Sequence, residues 1–156
     1  MTLDQILPPE RTLYGVPGGS KKRVLEFFST FIAQNIPSLD SQEVFSRLIG
    51  RERLGSTGIG HGVAVAHARS PHCKTPIAAF LKLGEPIDFD AIDGEPIDLL
   101  FVLLVPEEAD ETHLTLLGQV AELLNSPTNR SALRQADSQR ALFEALTQAI
   151  AELPAR

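Results

Sequence analysis

The chain has a single cysteine, Cys73, which excludes an internal disulfide and agrees with a reducing compartment. It lacks a basic excess: 14 Lys and Arg stand against 20 Asp and Glu, a formal charge of -6. That sign opposes the counterion release on which most nucleic-acid binding depends. Long apolar runs are missing as well. The longest, Leu99 to Val105, is far short of the roughly 20 residues that cross a bilayer, so no membrane insertion is expected. The start, Met1-Thr2-Leu3-Asp4, has no charged segment followed by an apolar one, and the expectation is an unexported, cytoplasmic protein. With no low-complexity tract and no repeat period of about 20 to 50 residues, disordered and solenoid architectures are excluded.

What remains is an ordinary globular composition. At 156 residues and 43% hydrophobic, the chain fits one domain over residues 1–156 that buries roughly 68–70% of its unfolded surface. Residues 1–19, with Leu3, Ile6 and Leu7 before Pro8-Pro9 and Pro17-Gly18-Gly19, read as an edge segment tied onto the body. Ser20 reads as an N-cap, and Val24, Leu25, Phe28, Phe31 and Ile32 recur at helical spacing until Pro37. Asp40 and Glu43 resemble a capping box for a second helix with the stripe Val44, Phe45, Leu48 and Ile49. That helix should end near Gly50 and bring Arg51 to its C-terminal edge.

Residues 54–62, Leu-Gly-Ser-Thr-Gly-Ile-Gly-His-Gly, predict irregular backbone because four glycines occupy eight positions. Val63 to Ala66 reads as a short buried strand, which puts His67 at its end beside a polar loop from Ala68 to Thr75. Ile77 to Leu83 and Ile97 to Val105 read as central strands separated by turns at Pro86 and Asp93-Gly94. Past an acidic stretch, Leu114, Leu116, Leu117, Val120, Leu123 and Leu124 mark a helix whose first turn holds Thr112 and His113. Two further helices, Asn129 to Ala136 and Ser138 to Leu153, close the chain. Strands alternating with helices predict an α/β fold: three layers, with a central mixed β-sheet flanked by α-helices.

Ligands in open α/β sheets bind beyond strand carboxyl ends, and both His67 and His113 follow strand-like segments, so a shared cleft is feasible. The glycine stretch does not read as a phosphate loop, since Gly-x-x-x-x-Gly-Lys-Ser/Thr is absent and the glycines precede a strand; the alternative is a sharp turn that re-aims that strand. His61, His67, His72, Cys73 and His113 fit no paired-ligand spacing, so no metal is expected. Cys73 reads as a small apolar residue and His72 as a surface histidine. Asp88, Asp90, Asp93, Glu95 and Asp98 read as a solvated strand face and turns.

The run Arg51-Glu52-Arg53-Leu54-Gly55-Ser56-Thr57-Gly58-Ile59-Gly60-His61-Gly62-Val63-Ala64-Val65-Ala66-His67 resembles the enzyme IIA domains of the bacterial phosphoenolpyruvate-dependent phosphotransferase system, mannitol/fructose type, and most strongly their nitrogen-regulatory branch. Pro86 to Asp93, Pro96 to Phe101, Leu103 to Pro106 and Thr112-His113-Leu114 extend the likeness over most of the chain. The resemblance implies that His67 accepts a phosphoryl group on Nε2, with Nδ1 oriented by a backbone carbonyl. His113 would be the second active-site histidine and Arg51 the motif arginine, with Ser56 and Thr57 as weaker phosphate-binding donors. Read as residues alone, His113 has the alternative of a polar helix start facing water, and Arg51 that of a helix C-terminal charge complementing the macrodipole.

The resemblance implies no cofactor, a histidine phosphocarrier protein as donor, and regulatory targets such as a sensor kinase or potassium transporter. Within the same family, a sugar-specific relay to a IIB domain is the alternative. Two positions depart from the pattern: Ala66 stands in place of the usual Pro and Ala68 in place of the usual Gly. They admit a different setting of the active segment, or a binding module that is not phosphorylated.

Overall fold

The computed structural model describes residues 2–109 and 111–154; the expected limits at Met1 and Arg156, and Asp110 of the acidic stretch, lie outside the described residues. In chain order the elements are α1 (Leu3–Ile6), a 3-10 turn (Pro9–Arg11), β1 (Thr12–Val16), α2 (Lys21–Asn35), α3 (Ser41–Arg53), β2 (Gly58–Gly60), β3 (Val63–Ser70), β4 (Ile77–Ile87), β5 (Ile97–Pro106), α4 (Glu111–Leu124), α5 (Pro127–Gln135) and α6 (Gln139–Ala151). The strands form one mixed sheet in the order β1-β4-β5-β3-β2. Strand β4 is antiparallel to β5 and parallel to the edge strand β1, while β3 runs parallel to β5 and antiparallel to β2.

Period-two alternation divides the sheet into two buried faces. Ala64, Ala66, Ala79, Leu81, Leu100, Val102 and Leu104 pack with Val24, Leu25, Phe28 and Ile32 of α2 and with Val44 and Leu48 of α3. Val63, Val65, Phe80, Leu99, Phe101, Leu103 and Val105 pack on the opposite face with Leu116 and Val120 of α4, Leu133 of α5, and Leu142 and Leu146 of α6. The helices start where the sequence signals: the side chains of Ser20, Asp40, Ser126 and Ser138 each accept the amide proton of the residue three positions on.

Four expectations are corrected. The glycine stretch contains a short strand, β2, because Gly58 and Gly60 pair with Ala64 and Val63. Strand β3 continues through the polar residues to Ser70, so His67 lies inside it and not at its end. The cause is β5, which offers a continuous parallel register from Val63↔Leu99 to Ser70↔Pro106; Ala66, Ala68 and Ser70 remain buried while His67 and Arg69 are half-exposed. Helix α3 runs past Gly50 to Arg53, since one glycine weakens a helix by about 1 kcal/mol without breaking it. Pro86 falls within β4, where the register with β5 shifts between Lys82 and Ile87, so no ladder donor is needed there.

The β2–β3 turn is fixed from a distance. Asp98 takes a bidentate bond from Arg134 of α5, whose Nη2 also donates to the His61 carbonyl at 2.5 Å. Gly62 adopts φ +78°, and a Cβ there would sit 2.5 Å from Arg134 Nη2 and 3.0 Å from Asp98 Oδ1. Gly62→Ala should therefore lower unfolding free energy by about 2 kcal/mol or more through left-handed strain and loss of that clamp. Chemical denaturation checks this, and wild-type stability in the variant would show that the clamp does not hold the turn.

Candidate functional site

Alternation decides which way His67 points. With Ala66 and Ala68 buried on the α2–α3 face, His67 projects from β3 on the other side, toward the first turn of α4. There its ring meets that of His113 edge to face, with centroids 5.4 Å apart and planes inclined at 69°. His113 is 7% exposed and occupies the third position of α4, so packing holds it in place.

The Val65 carbonyl can only accept a hydrogen bond. His67 Nδ1 lies 3.0 Å from it and must therefore carry the ring proton, which leaves the Nε2 lone pair unprotonated. The Nε of Arg51 donates to that lone pair at 3.3 Å, and Arg51 Nη1 donates to the Gly55 carbonyl at 2.8 Å. Arg51 comes from the last turn of α3, so a helix on one face reaches a ring on the other. Burial lowers the proton affinity of His67 below that of an ordinary imidazole, and the Arg51 charge acts in the same direction; the Val65 carbonyl and the Glu52 carboxylate oppose them. A neutral ring at neutral pH follows.

Two hollows flank the ring. One, of about 310 Å³, is lined by Arg47, Arg51, Leu54, His67, Ala68, Arg69 and His113. The other, of about 230 Å³, is lined by Arg51, Ser56, Thr57, Gly58, Ile59, Val65, His67 and two α4 residues, Leu117 and Ala121. The other four expected site residues, Arg51, His113, Ser56 and Thr57, thus line the hollows beside the His67 imidazole. The hydroxyls of Ser56 and Thr57 are engaged away from the ring: Ser56 donates to the Phe89 carbonyl beyond β4 at 2.7 Å and Thr57 to the Glu52 carboxylate of α3.

Sequence reasoning overlooked Arg47, Arg69 and Glu52. Arg47 lies one helical turn before Arg51, with Nε donating to Glu43 at 2.8 Å. Arg69 is two residues beyond His67 and donates to the Glu107 carbonyl at 2.9 Å. Helical spacing could have found the first, and strand alternation the second had β3 been read to its full length. The pocket is cationic in a chain of net charge -6. It suits a small dianion such as a phosphoryl group, for which arginine provides forked donors.

The other histidines and Cys73 lie elsewhere. His61 occupies the β2–β3 turn with φ +59°, and its amide donates to Asp93. His72 follows β3, with its amide on Ser70 Oγ. Cys73 is buried, its thiol donating to the Thr75 carbonyl, and burial pushes its pKa up to about 11. Among the described residues, no three His, Cys, Asp or Glu side chains are grouped to hold a metal ion. No helix there is long and apolar enough to cross a membrane.

The fold has known counterparts. Residues 5–149 match the family described as phosphoenolpyruvate-dependent sugar phosphotransferase system, EIIA 2, and the chain belongs to that family. Its similarity within the family lies with the nitrogen-regulatory branch. The nitrogen regulatory protein of Pseudomonas aeruginosa is 53% identical over 142 residues, covering 91% of this chain and 92% of the relative. That of Klebsiella oxytoca is 42% identical over 150 residues, covering 96% and 92%. The crystal structure of nitrogen regulatory protein IIA-Ntr from Neisseria meningitidis superposes with a TM-score of 0.85 at 38% identity, covering 91% of this chain and 97% of that one.

The lowered proton affinity of His67 has a consequence for stability. As pH falls below about 6.5 the unfolded chain's imidazole protonates first, so the folded state loses stability until the native ring protonates too. Replacing His67 by Asn should flatten this part of the curve. Denaturation midpoints measured between about pH 5 and 7.5 check it, and an identical slope in the variant would show that His67 does not contribute.

Proposed function

We propose that this chain is a regulatory phosphocarrier that takes a phosphoryl group onto Nε2 of His67 from a histidine phosphocarrier protein and binds its targets according to phosphorylation state. The observation that carries the reading is the fixed tautomer: Nδ1 is held by the Val65 carbonyl at 3.0 Å, and Nε2 opens to a pocket of arginines. In the transfer, the bond from phosphorus to the donor's ring nitrogen breaks as the bond to Nε2 forms, and the donor ring keeps the electron pair. The proton stays on Nδ1 and is donated to the Val65 carbonyl, which stabilises the positive charge that develops on the accepting ring.

The in-line transition state is loose, so catalysis is mainly positioning and charge stabilisation. Arg51 must leave Nε2 as phosphorus approaches, and it then meets the equatorial oxygens from a pivot already fixed at Gly55. His113 donates to the same group from the first turn of α4, where the helix dipole is favourable to negative charge. Ser56 and Thr57 shape the second hollow and supply hydroxyls only if their loop bonds exchange. Ala66 is buried on the α2–α3 face, away from the ring, while Ala68, buried on the same face, also borders the larger hollow, where its methyl group leaves room for the phosphoryl group. The donor and targets are proteins of a reducing, cytoplasmic compartment, and no cofactor takes part.

Phosphohistidine adds negative charge and acceptor oxygens beside a rim that includes the exposed Leu54, which lines the same hollow as His67. A target docked over that rim would be released or rebound on phosphorylation. The names of the relatives favour regulation over sugar relay.

Incubation with the phosphorylated carrier and intact-mass analysis should add one phosphoryl group to the wild type and none to His67→Ala. Arg51→Ala and His113→Ala should each slow labelling by about 10²- to 10³-fold, the range for loss of one preorganised donor. Full labelling of His67→Ala would remove the assignment, and a folded wild type that never labels would leave a binding module in its place.

A further inference from the structure

Glu52, the neighbour of Arg51, is a buried carboxylate that the reaction scheme above does not use: its side chain is 4% exposed. One oxygen accepts from the Thr57 amide and from Lys21 Nζ, each at 3.2 Å, and the other accepts from the Thr57 hydroxyl. Lys21 also lies 4.6 Å from the centroid of the Phe89 ring. A buried ion pair of this kind is weak evidence for stability, since apolar residues of similar volume commonly serve as well. What distinguishes Glu52 is where its bonds lead.

From Thr57 the chain of bonds continues directly to the ring. The Thr57 carbonyl accepts from the Val65 amide at 3.0 Å, and the Val65 carbonyl accepts from His67 Nδ1 at 3.0 Å. Two more anchors hold the same loop, Arg51 on Gly55 and Ser56 on Phe89. Neither aligns the edge of β3 as the Thr57 bonds do. The β2–β3 ladder ends at Gly58 opposite Ala64, and the Thr57–Val65 bond lies just beyond it, so Glu52 holds Thr57 at the edge of β3 next to His67.

We infer that Glu52 is a positioning residue for His67: acting through Thr57 and Val65, it determines which ring nitrogen carries the proton and which faces the pocket. The inference rests on the reading of His67 as phosphoryl acceptor, and it deepens that reading. Consecutive residues of α3 then divide the work, Glu52 setting the Nδ1 side of the ring through the backbone and Arg51 meeting the Nε2 side directly. Lys21 also donates to the carboxylate, and the two Thr57 donors take one oxygen each.

The test reads the ring without phosphate. Nitrogen-15 shifts of His67 in the unphosphorylated protein should show the Nδ1–H tautomer predominating in the wild type. Glu52→Gln should raise the Nε2–H population, because the amide cannot accept from both Thr57 donors while facing Lys21. Thr57→Val, which keeps the volume and removes only the hydroxyl, should move it the same way, and Thr57→Ser should restore it.

The ring's protonation midpoint is also followed. The charged or titratable groups that face it are Arg51, Arg47 and Glu52 from α3, Arg69 from β3 and His113 from α4. Glu52→Gln should move the midpoint to lower pH, because an opposing negative charge is lost. Phosphoryl transfer to both slow variants should fall about 10- to 100-fold, as for a misplaced reacting group. An unchanged tautomer in Glu52→Gln and Thr57→Val, whatever happens to the rate, overturns the inference. A wild type that shows the Nδ1–H tautomer and yet does not label overturns the acceptor reading instead.

Discussion

The hydrogen bond between His67 Nδ1 and the Val65 carbonyl, 3.0 Å long, is the constraint on which the site depends. It joins residues two apart on one strand, and it is available only because the Val65 amide and carbonyl face the edge where β2 stops. The amide is taken by Thr57 and the carbonyl by the ring. A longer β2 would compete for that carbonyl and leave the tautomer unfixed. The small extent of β2, confined to Gly58–Gly60, is therefore functional as well as topological.

Around that bond the sheet separates two tasks. One face carries Ala64, Ala66 and Ala68, small residues that let α3 approach closely enough for its last turn to reach past the edge of β3. The other face carries the ring and receives α4, with His113 in its first turn. Arg51 and His113 thus converge on His67 from elements packed on opposite sides of the sheet. The result is a hollow lined by Arg47, Arg51 and Arg69 in a chain of net charge -6.

Much of this was legible in the sequence. Helical spacing in Val24-Leu25-Phe28-Ile32, the serine and aspartate caps, and the apolar runs of β4 and β5 predicted the layers correctly. His67, His113 and Arg51 were named from strand-like and helix-like contexts and from the resemblance of the Arg51 to His67 run to a known family. Less legible was anything decided by a partner strand. Strand β3 looked as if it ended at Ala66 because His67, Arg69 and Ser70 are polar, yet the register against β5 carries it four residues further. Glycine at 58 and 60 hid β2 for the same reason, since pairing overrides a residue's own preference. Glu52 was invisible as a site residue because its role lies in a chain of backbone bonds that no residue type announces.

The most direct test is to identify the phosphorylated atom. After transfer from a phosphorylated carrier, nitrogen-15 and phosphorus-31 spectra of the labelled protein should show a single phosphoramidate, bonded to Nε2 of His67, with Nδ1 still protonated. A phosphoryl group on Nδ1, or on any other side chain, would contradict the geometry described above.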